Sequence, residues 1–311
     1  YFERLKEEIE EDGRWAITVY PDRDAPNDQN PKTSALQLVR LAKERSVDYD
    51  VVWVVFDKDG YSLHQEAFAL AKSDKLGKPL NIAFSSIAFE HWVLAHFERN
   101  ANAYLKSECR IGKKALGCGT ALHEADCLGT LCVCGRLRAQ RYLPAYGKQA
   151  DYDLYPKVRH LVPTALVNAA WLRHQQRKVS GPIHDLNPYT DVDVLIKKLL
   201  NIEEQIIWAS LDESLQLQGL EYRLARSSGA YRLTVQNLMD VAIVLNQIAC
   251  YRFDFQGNPV VIPLENRLLT PGERFTFEFV HDGASGRSAV LKIHYQSAVI
   301  IFENGSPGVV D

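Results

Sequence analysis

The chain has 311 residues, enough to bury a full core without staples and to form one large domain or two of ordinary size. Hydrophobic residues make up 46% and charged residues 24%, the balance of a soluble globular protein, and the longest apolar runs fall far short of a membrane span. A formal net charge of −3 argues against a protein that coats nucleic acid along its whole length. No signal-peptide pattern opens the chain and its first residue is Tyr rather than Met, so a cytoplasmic protein whose true N-terminus lies further upstream is expected.

In chain order, Tyr1 to Asp12 is acidic, with Phe2, Leu5 and Ile9 spaced for an amphipathic helix. Trp15 to Tyr20 reads as a short strand, and Pro21 to Pro31, crowded with Asp, Asn and Pro, as a loop. Thr33 or Ser34 then caps a helix running to about Arg45. Val51 to Phe56 is six apolar residues, mostly β-branched or aromatic, which predicts a strand buried on both faces of a parallel sheet. His64 to Lys72, Leu80 to Phe84 and Phe89 to Phe97 follow as helix, strand and helix. This βαβα alternation predicts an α/β domain, a parallel sheet with flanking helices.

Ligands of open α/β sheets bind beyond the carboxyl ends of the strands, which is where Asp57 and Asp59 would lie. Spaced by two on a chain starting to turn at Gly60, both can approach one hard cation, Mg²⁺ or Mn²⁺. The alternative is an ordinary strand end whose carboxylates cap the next helix. Glu90, after the following strand, is a candidate metal or base residue, with capping its helix or pairing with Arg99 as the alternative. His64 reads as a solvent-facing helical residue and His96 as a hydrogen-bonded core residue.

Five of the six cysteines lie between Cys109 and Cys134, together with His123. In a reduced compartment such a cluster points to structural Zn²⁺ held by Cys118, Cys127, Cys132 and Cys134, or else to free thiols, since no Cys-x-x-Cys pair is present. From Arg136 to Lys178 nine Lys or Arg face two acidic residues. Arg138, Arg141, Lys148, Arg159, Arg173, Arg177 and Lys178 are candidates for a nucleic-acid groove if they share a face, with Tyr142, Tyr146 and Tyr152 available to stack on bases or to fill a core. A helix from Val192 is expected to continue through Ile206, Ile207 and Trp208 to about Leu215. Beyond it the composition turns acidic and strand-like, with one helix expected at Val235 to Ile248. The expected organisation is thus 1–105 for the α/β domain, 106–135 for a Cys-rich insertion, 136–214 for a basic helical part and 215–311 for a β-rich module that binds a partner or senses a signal.

Several segments together resemble the RloB-like proteins of bacterial defence loci. They are Phe56-Asp57-Lys58-Asp59, Ile82-Ala83-Phe84-Ser85, Phe89 to Phe97, Tyr146 to Tyr155, the helix around Asn168-Ala169-Ala170, and Asn187-Pro188-Tyr189-Thr190-Asp191-Val192 followed by Leu195 and Leu199. The resemblance spans about residues 1 to 200. It implies a Toprim fold binding Mg²⁺ through an Asp-x-Asp pair, which Asp57 and Asp59 match, and a Glu on an earlier strand, upstream of the helix at Tyr1. It departs from the family at Gly60-Tyr61, in place of an acidic residue and a His, and at Ser86-Ile87-Ala88, in place of an Asn-Pro turn. The implied activity is metal-dependent cleavage of RNA, tRNA included, or DNA in antiphage defence, beside an ATPase partner. Two other readings stand: a Toprim scaffold that binds a partner or nucleic acid without cutting, and a HAD-like phosphatase with Asp57 as nucleophile, which would need a downstream acidic motif that the sequence lacks. No membrane association is expected, and self-association into a homo-oligomer is left open.

Overall fold

The computed structural model describes the chain except residues 12, 14, 21–33, 59–61, 112–113, 116–128, 149–151, 204, 211–213, 218, 228–229, 252–259, 280–289, 294–297 and 304–311. The chain divides into two compact units, Tyr1–Ile202 and Glu203–Asp311. Among the described residues no helix is long and apolar enough to cross a membrane.

The first unit mixes helices with one three-stranded sheet. Its elements are α1 (Phe2–Glu11), α2 (Ala35–Arg45), β1 (Trp53–Asp57), α3 (His64–Lys72), β2 (Asn81–Ser86), α4 (Glu90–Ala95), the short pair β3 (Arg110–Ile111) and β4 (Lys114–Ala115), α5 (Val133–Ala139), α6 (Tyr155–Val158), α7 (Val162–Gln176), β5 (Tyr189–Thr190) and α8 (Val192–Leu199). The strand order is β1-β2-β5. β1 and β2 pair in parallel, with Asp57 opposite Ser85, whereas β5 runs antiparallel, with Thr190 opposite Ser85. The expected all-parallel sheet is therefore corrected to two parallel strands and one short antiparallel strand. Trp15 to Tyr20, expected as a strand, takes no regular secondary structure, although its residues line the same groove as β1.

Val54 and Phe56 point to one side of β1, where they join Phe84, Ala67, Ala71, Val39 and Ala35 beneath α2 and α3. A second core gathers Val93 and Leu94 of α4, Tyr104, Val133, Cys134 and Leu137 of α5, Leu143, Tyr146 and Val158. It draws together residues from all three segments that the sequence separates before residue 200, because α4 is buried along its whole length and needs apolar neighbours on every side.

A buried lysine ties α2 to the chain that follows α3. The Lys43 ammonium is inaccessible to water and donates to the carbonyls of Ser73 at 2.5 Å and Lys78 at 2.8 Å, so its charge is met by backbone dipoles. Gly77 makes this approach possible. Its φ of +130° excludes most side chains, and a Cβ there would stand 2.7 Å from the Lys43 carbonyl oxygen and from Ser46 Oγ. Gly77→Ala is expected to destabilise the first unit by about 1–3 kcal/mol, read as a lower denaturation midpoint. An unchanged midpoint would refute this role.

The second unit is built of strands: β6 (Gln205–Ser210), β7 (Ser214–Leu217), β8 (Leu220–Ser227), β9 (Ala230–Asn237), β10 (Ile243–Tyr251), β11 (Val260–Leu269), β12 (Arg274–Phe279), β13 (Val290–Ile293) and β14 (Ala298–Glu303). They form a four-stranded antiparallel sheet β12-β9-β8-β7, a three-stranded sheet β11-β10-β13 and a parallel pair β14-β6. Two expected helices are corrected here. α8 stops at Leu199, and Ile206, Ile207 and Trp208 belong to β6. Val235 to Ile248 is the end of β9, a turn and the start of β10.

Candidate functional site

β1 delivers Asp57 to the carboxyl end of the sheet. Alternation along the strand puts Trp53, Val55 and Asp57 on the face opposite Val54 and Phe56. The Asp57 carboxylate accepts a hydrogen bond from the backbone N–H of Phe89 at 3.2 Å, which holds it against the start of α4. On its other side the Asp57 carbonyl accepts from His64 Nε2 at 3.2 Å. The expectation of a solvent-facing His64 is corrected: it is buried, and its ring packs on Phe56 and Phe84 at centroid distances of 6.0 Å each. His64 thereby fixes the backbone from which the Asp57 side chain projects. Asp59 lies outside the described residues.

Among the described residues β1 is an edge strand, and its residues line a groove of about 770 Å³. The floor is Val51 to Asp57. One wall comes from Leu38, Leu41 and Ala42 of α2, another from Leu195 and Leu199 of α8 with Tyr1, Phe2 and Phe89, and the far side from Trp15 to Tyr20. Two cations rest on aromatic rings of that far side, Arg45 at 4.3 Å from the Tyr20 centroid and Lys198 at 5.7 Å from that of Trp15. The groove is apolar for most of its length and Asp57 is the carboxylate among its lining residues.

Glu90 is held elsewhere. It is 4% exposed, accepts from Tyr146 Oη at 2.9 Å and pairs with Lys148 Nζ at 3.1 Å. Burial first, then the Glu90 charge, pushes the Tyr146 hydroxyl and the Cys134 thiol far above their ordinary values. Glu90 thus anchors the turn after α5 to α4. Among the described residues no three His, Cys, Asp or Glu side chains converge as a cation site.

The basic residues differ in what holds them. Arg138 is buried, paired with Glu108 at 2.8 Å and bonded to the Tyr146 carbonyl at 2.7 Å. Arg173 grips Asp193 with both guanidinium nitrogens, one contact at 2.7 Å, and donates to the Thr190 carbonyl at 3.2 Å. Both hold the fold together and leave no guanidinium for a phosphate backbone. Arg141, after α5, and Arg177 and Lys178, after α7, are exposed. Arg159 is spent on Glu8. The tyrosines are core aromatics: Tyr142 stacks on Phe97 at 4.9 Å and Tyr146 meets Tyr152 edge-on at 5.3 Å.

Of the four cysteines in the zinc reading, the structure describes two. The Cys134 side chain lies inside the second core, where burial raises its thiol pKa. Cys132 is also fully buried, and its sulfur caps α5 by accepting from the Gly135 N–H at 3.2 Å. Cys118, Cys127 and His123 lie outside the described residues.

Two polar hubs have no counterpart in the sequence reading. Glu98 accepts from Arg136 at 2.9 and 2.8 Å, Tyr142 at 2.9 Å and Asn100 at 2.6 Å. Burial pushes its pKa up, but these donors outweigh it and hold the carboxyl below the usual range. Asp191 accepts from the Phe84 N–H at 2.5 Å and from Tyr189 Oη at 3.4 Å. Burial lifts its pKa to about 6 against the pull of the Phe84 N–H and Arg173. With Ser85 Oγ 2.9 Å from Thr190 Oγ1, this hub locks β5 onto the end of β2, one strand away from Asp57.

A family model described as RloB-like protein matches residues 1–199, which is most of the chain and nearly all of its first unit. The chain belongs to the RloB-like family. A comparison with curated proteins gives no match. Among solved structures, a β-sandwich protein from Clostridium difficile aligns with 9% identity and a TM-score of 0.20, over 32% of this chain and 95% of that one. An alkylpurine DNA glycosylase from Pseudomonas fluorescens, bound to DNA containing an abasic site analogue, aligns with 12% identity and a TM-score of 0.17, over 88% of this chain and 77% of that one. At these scores neither similarity carries an argument about fold or function.

Proposed function

We propose that the first unit is a Toprim-like metal-dependent nuclease that cleaves phosphodiesters of RNA, tRNA included, or of DNA in cytoplasmic antiphage defence. The observation that carries the reading is the placement of Asp57 at the carboxyl end of β1, an edge strand among the described residues that lines an apolar groove. Asp57 and Asp59 offer hard oxygen donors of the kind that Mg²⁺ or Mn²⁺ takes. A further strand laid in the groove beside β1 would pair with its open edge, complete the sheet and bring a third carboxylate to the same end. The bound ion would supply Lewis-acid polarisation of a phosphate oxygen and charge neutralisation.

The remaining work falls to the chain itself. The Phe89 N–H orients the Asp57 carboxylate, and His64 keeps the end of β1 from shifting. Glu90 positions the α4–α5 region in this reading, in place of a catalytic role. The substrate would be gripped through the exposed Arg141, Arg177 and Lys178 rather than through Arg138 or Arg173. An ATPase partner is part of the proposal through the family alone.

The test incubates the protein with labelled tRNA and with plasmid DNA in Mg²⁺, Mn²⁺ or EDTA, beside an Asp57→Ala/Asp59→Ala variant. Cleavage that requires the metal and falls by at least about 100-fold in the variant is expected. Failure to cut either polymer, with no metal bound by calorimetry, would sink the catalytic reading in favour of a non-cutting scaffold. Tight metal binding without cutting would point to a required ATPase activator.

A further inference from the structure

One exposed face of the second unit has the chemistry of a ligand site. In the sheet β12-β9-β8-β7, residues in register lie side by side about 5 Å apart and alternate residues share a face. Leu220, Tyr222, Leu224, Leu233 and Val235 fill the inner face and are almost fully buried. On the outer face Ser214, Arg223, Thr234 and Thr276 form one row across the sheet, and Glu221, Gln236 and Arg274 fall in the next. With Arg232 and Glu278 this face forms an open depression of about 670 Å³.

Its charges are unevenly matched. Arg232 is neutralised by Glu278 through contacts of 2.8 and 2.5 Å. Arg274 bonds only a neutral partner there, Gln236 Oε1 at 2.8 Å, and so keeps its charge. The Arg223 guanidinium has no ion-pair partner among the described residues. Between these two cations, on the central strand β9, stands Thr234, its hydroxyl 3.2 Å from that of Thr276. Two guanidinium groups flanking a pair of hydroxyls make the donor set of an oxyanion.

The carboxylates decide what kind of oxyanion fits. A nucleic-acid backbone drawn across this face would set its phosphates against Glu221 and Glu278. A compact ligand avoids that conflict. With one anionic group over Thr234, its remaining hydroxyls reach Glu221, an acceptor on the same strand as Arg223.

We propose that this face binds a small phosphate monoester of a hydroxylated carbon skeleton. Arg223 and Arg274 hold the phosphoryl group, Thr234 donates to it, and Glu221 accepts from a hydroxyl. The site belongs to the second unit alone and does not depend on the chemistry of Asp57.

Calorimetry on the full chain with AMP and ribose 5-phosphate is the test. Either ester is expected to bind with a Kd below about 1 mM, more tightly than inorganic phosphate. Arg223→Ala is expected to weaken the ester about tenfold or more, with circular dichroism and melting unchanged because the side chain is exposed. Glu221→Gln should weaken the esters and leave inorganic phosphate untouched. Absence of binding by either ester, or equal affinity in Arg223→Ala, would overturn the proposal. So would preferential, steeply salt-dependent binding of a single-stranded oligonucleotide that Arg223→Ala abolishes.

Discussion

Arg173→Met is expected to destabilise the first unit by about 3–5 kcal/mol, lowering its melting midpoint by about 10 °C. Asp193 is 2% exposed on its side chain and is held by the Arg173 fork. Burial alone would lower the Arg173 pKa, but the Asp193 charge and its hydrogen bonds outweigh that effect and raise it. Methionine removes one partner and leaves a buried carboxylate with nothing to meet it, which is the costly way to break such a pair. Arg173→Met/Asp193→Leu removes both charges and is expected to recover most of the loss. If Arg173 instead served a nucleic-acid groove, Arg173→Met would melt like the parent and lose only affinity for the polymer. Melting and oligonucleotide binding measured on the same two variants separate these outcomes.

The Arg173 case shows where sequence reading stops. A basic run between Arg136 and Lys178 is legible, but the acids that consume it are not. Glu108 lies 30 residues before Arg138 and Asp193 lies 20 residues after Arg173, so neither pair leaves a local signal. Only the fold makes them neighbours. The same holds for Glu90, whose partners Tyr146 and Lys148 come from the turn beyond α5.

Local periodicity was more reliable than capping. Of the β-branched run Val51 to Phe56, Trp53 to Phe56 lie in β1, with Val54 and Phe56 buried on one face rather than the run on both, and Ser34 stands directly before α2 without a side-chain capping bond. The family resemblance, carried by six separated segments, covered the stretch that the family model matches. The misread helix after α8 did leave a signal. Asn201 takes a left-handed φ of +53°, and the Ile202 N–H returns to the Lys197 carbonyl at 2.8 Å, which closes α8 in a Schellman motif. Asn after Leu199-Leu200 was a stop; the apolar residues beyond it then alternate as a strand. At Val235 to Ile248 the helical spacing of Val235, Leu238 and Val241 was accidental. Asn237 ends β9 and ties the turn down, its side chain bonding the Met239 N–H at 2.9 Å and the carbonyls of Val241 and Leu269 at 2.8 and 3.0 Å.

The sequence supplies Asp57 and Asp59, and the structure places the first of them beside an open strand edge. It also shows that the Asp57 carboxylate already accepts from the Phe89 N–H at the start of α4, whereas the alternative reading had it cap the next helix, α3. The two roles are compatible, because a carboxylate has two oxygens and about four lone-pair directions.

Acid is expected to destabilise the first unit between pH 6.5 and 4, above the range where ordinary carboxylates titrate. His91 and His96 are 2% and 0% exposed, and burial depresses both to about pKa 4. Each spends one nitrogen on a carbonyl, His91 Nε2 on Asn100 at 3.2 Å and His96 Nδ1 on Trp92 at 3.0 Å, while the other nitrogen has no partner among the described residues. The unfolded chain therefore binds more protons than the folded one once the pH falls below the ordinary histidine value of about 6.5. Stability is complete above that value and is lost as the pH drops towards 4, by up to about 3 kcal/mol per imidazole. Asp191 acts in the opposite sense. Its folded pKa of about 6 lies above the unfolded value of 3.8, so protonation across the same window removes a desolvation penalty and offsets about one histidine. Urea denaturation at pH 7.5, 5.5 and 4.5 is expected to show a net loss of about 3 kcal/mol. His91→Gln/His96→Gln should reverse the profile, leaving the gain from Asp191 protonation, and Asp191→Asn should steepen it. A profile that is level from pH 7.5 to 4.5 in all three proteins would mean that neither imidazole is held neutral by the core.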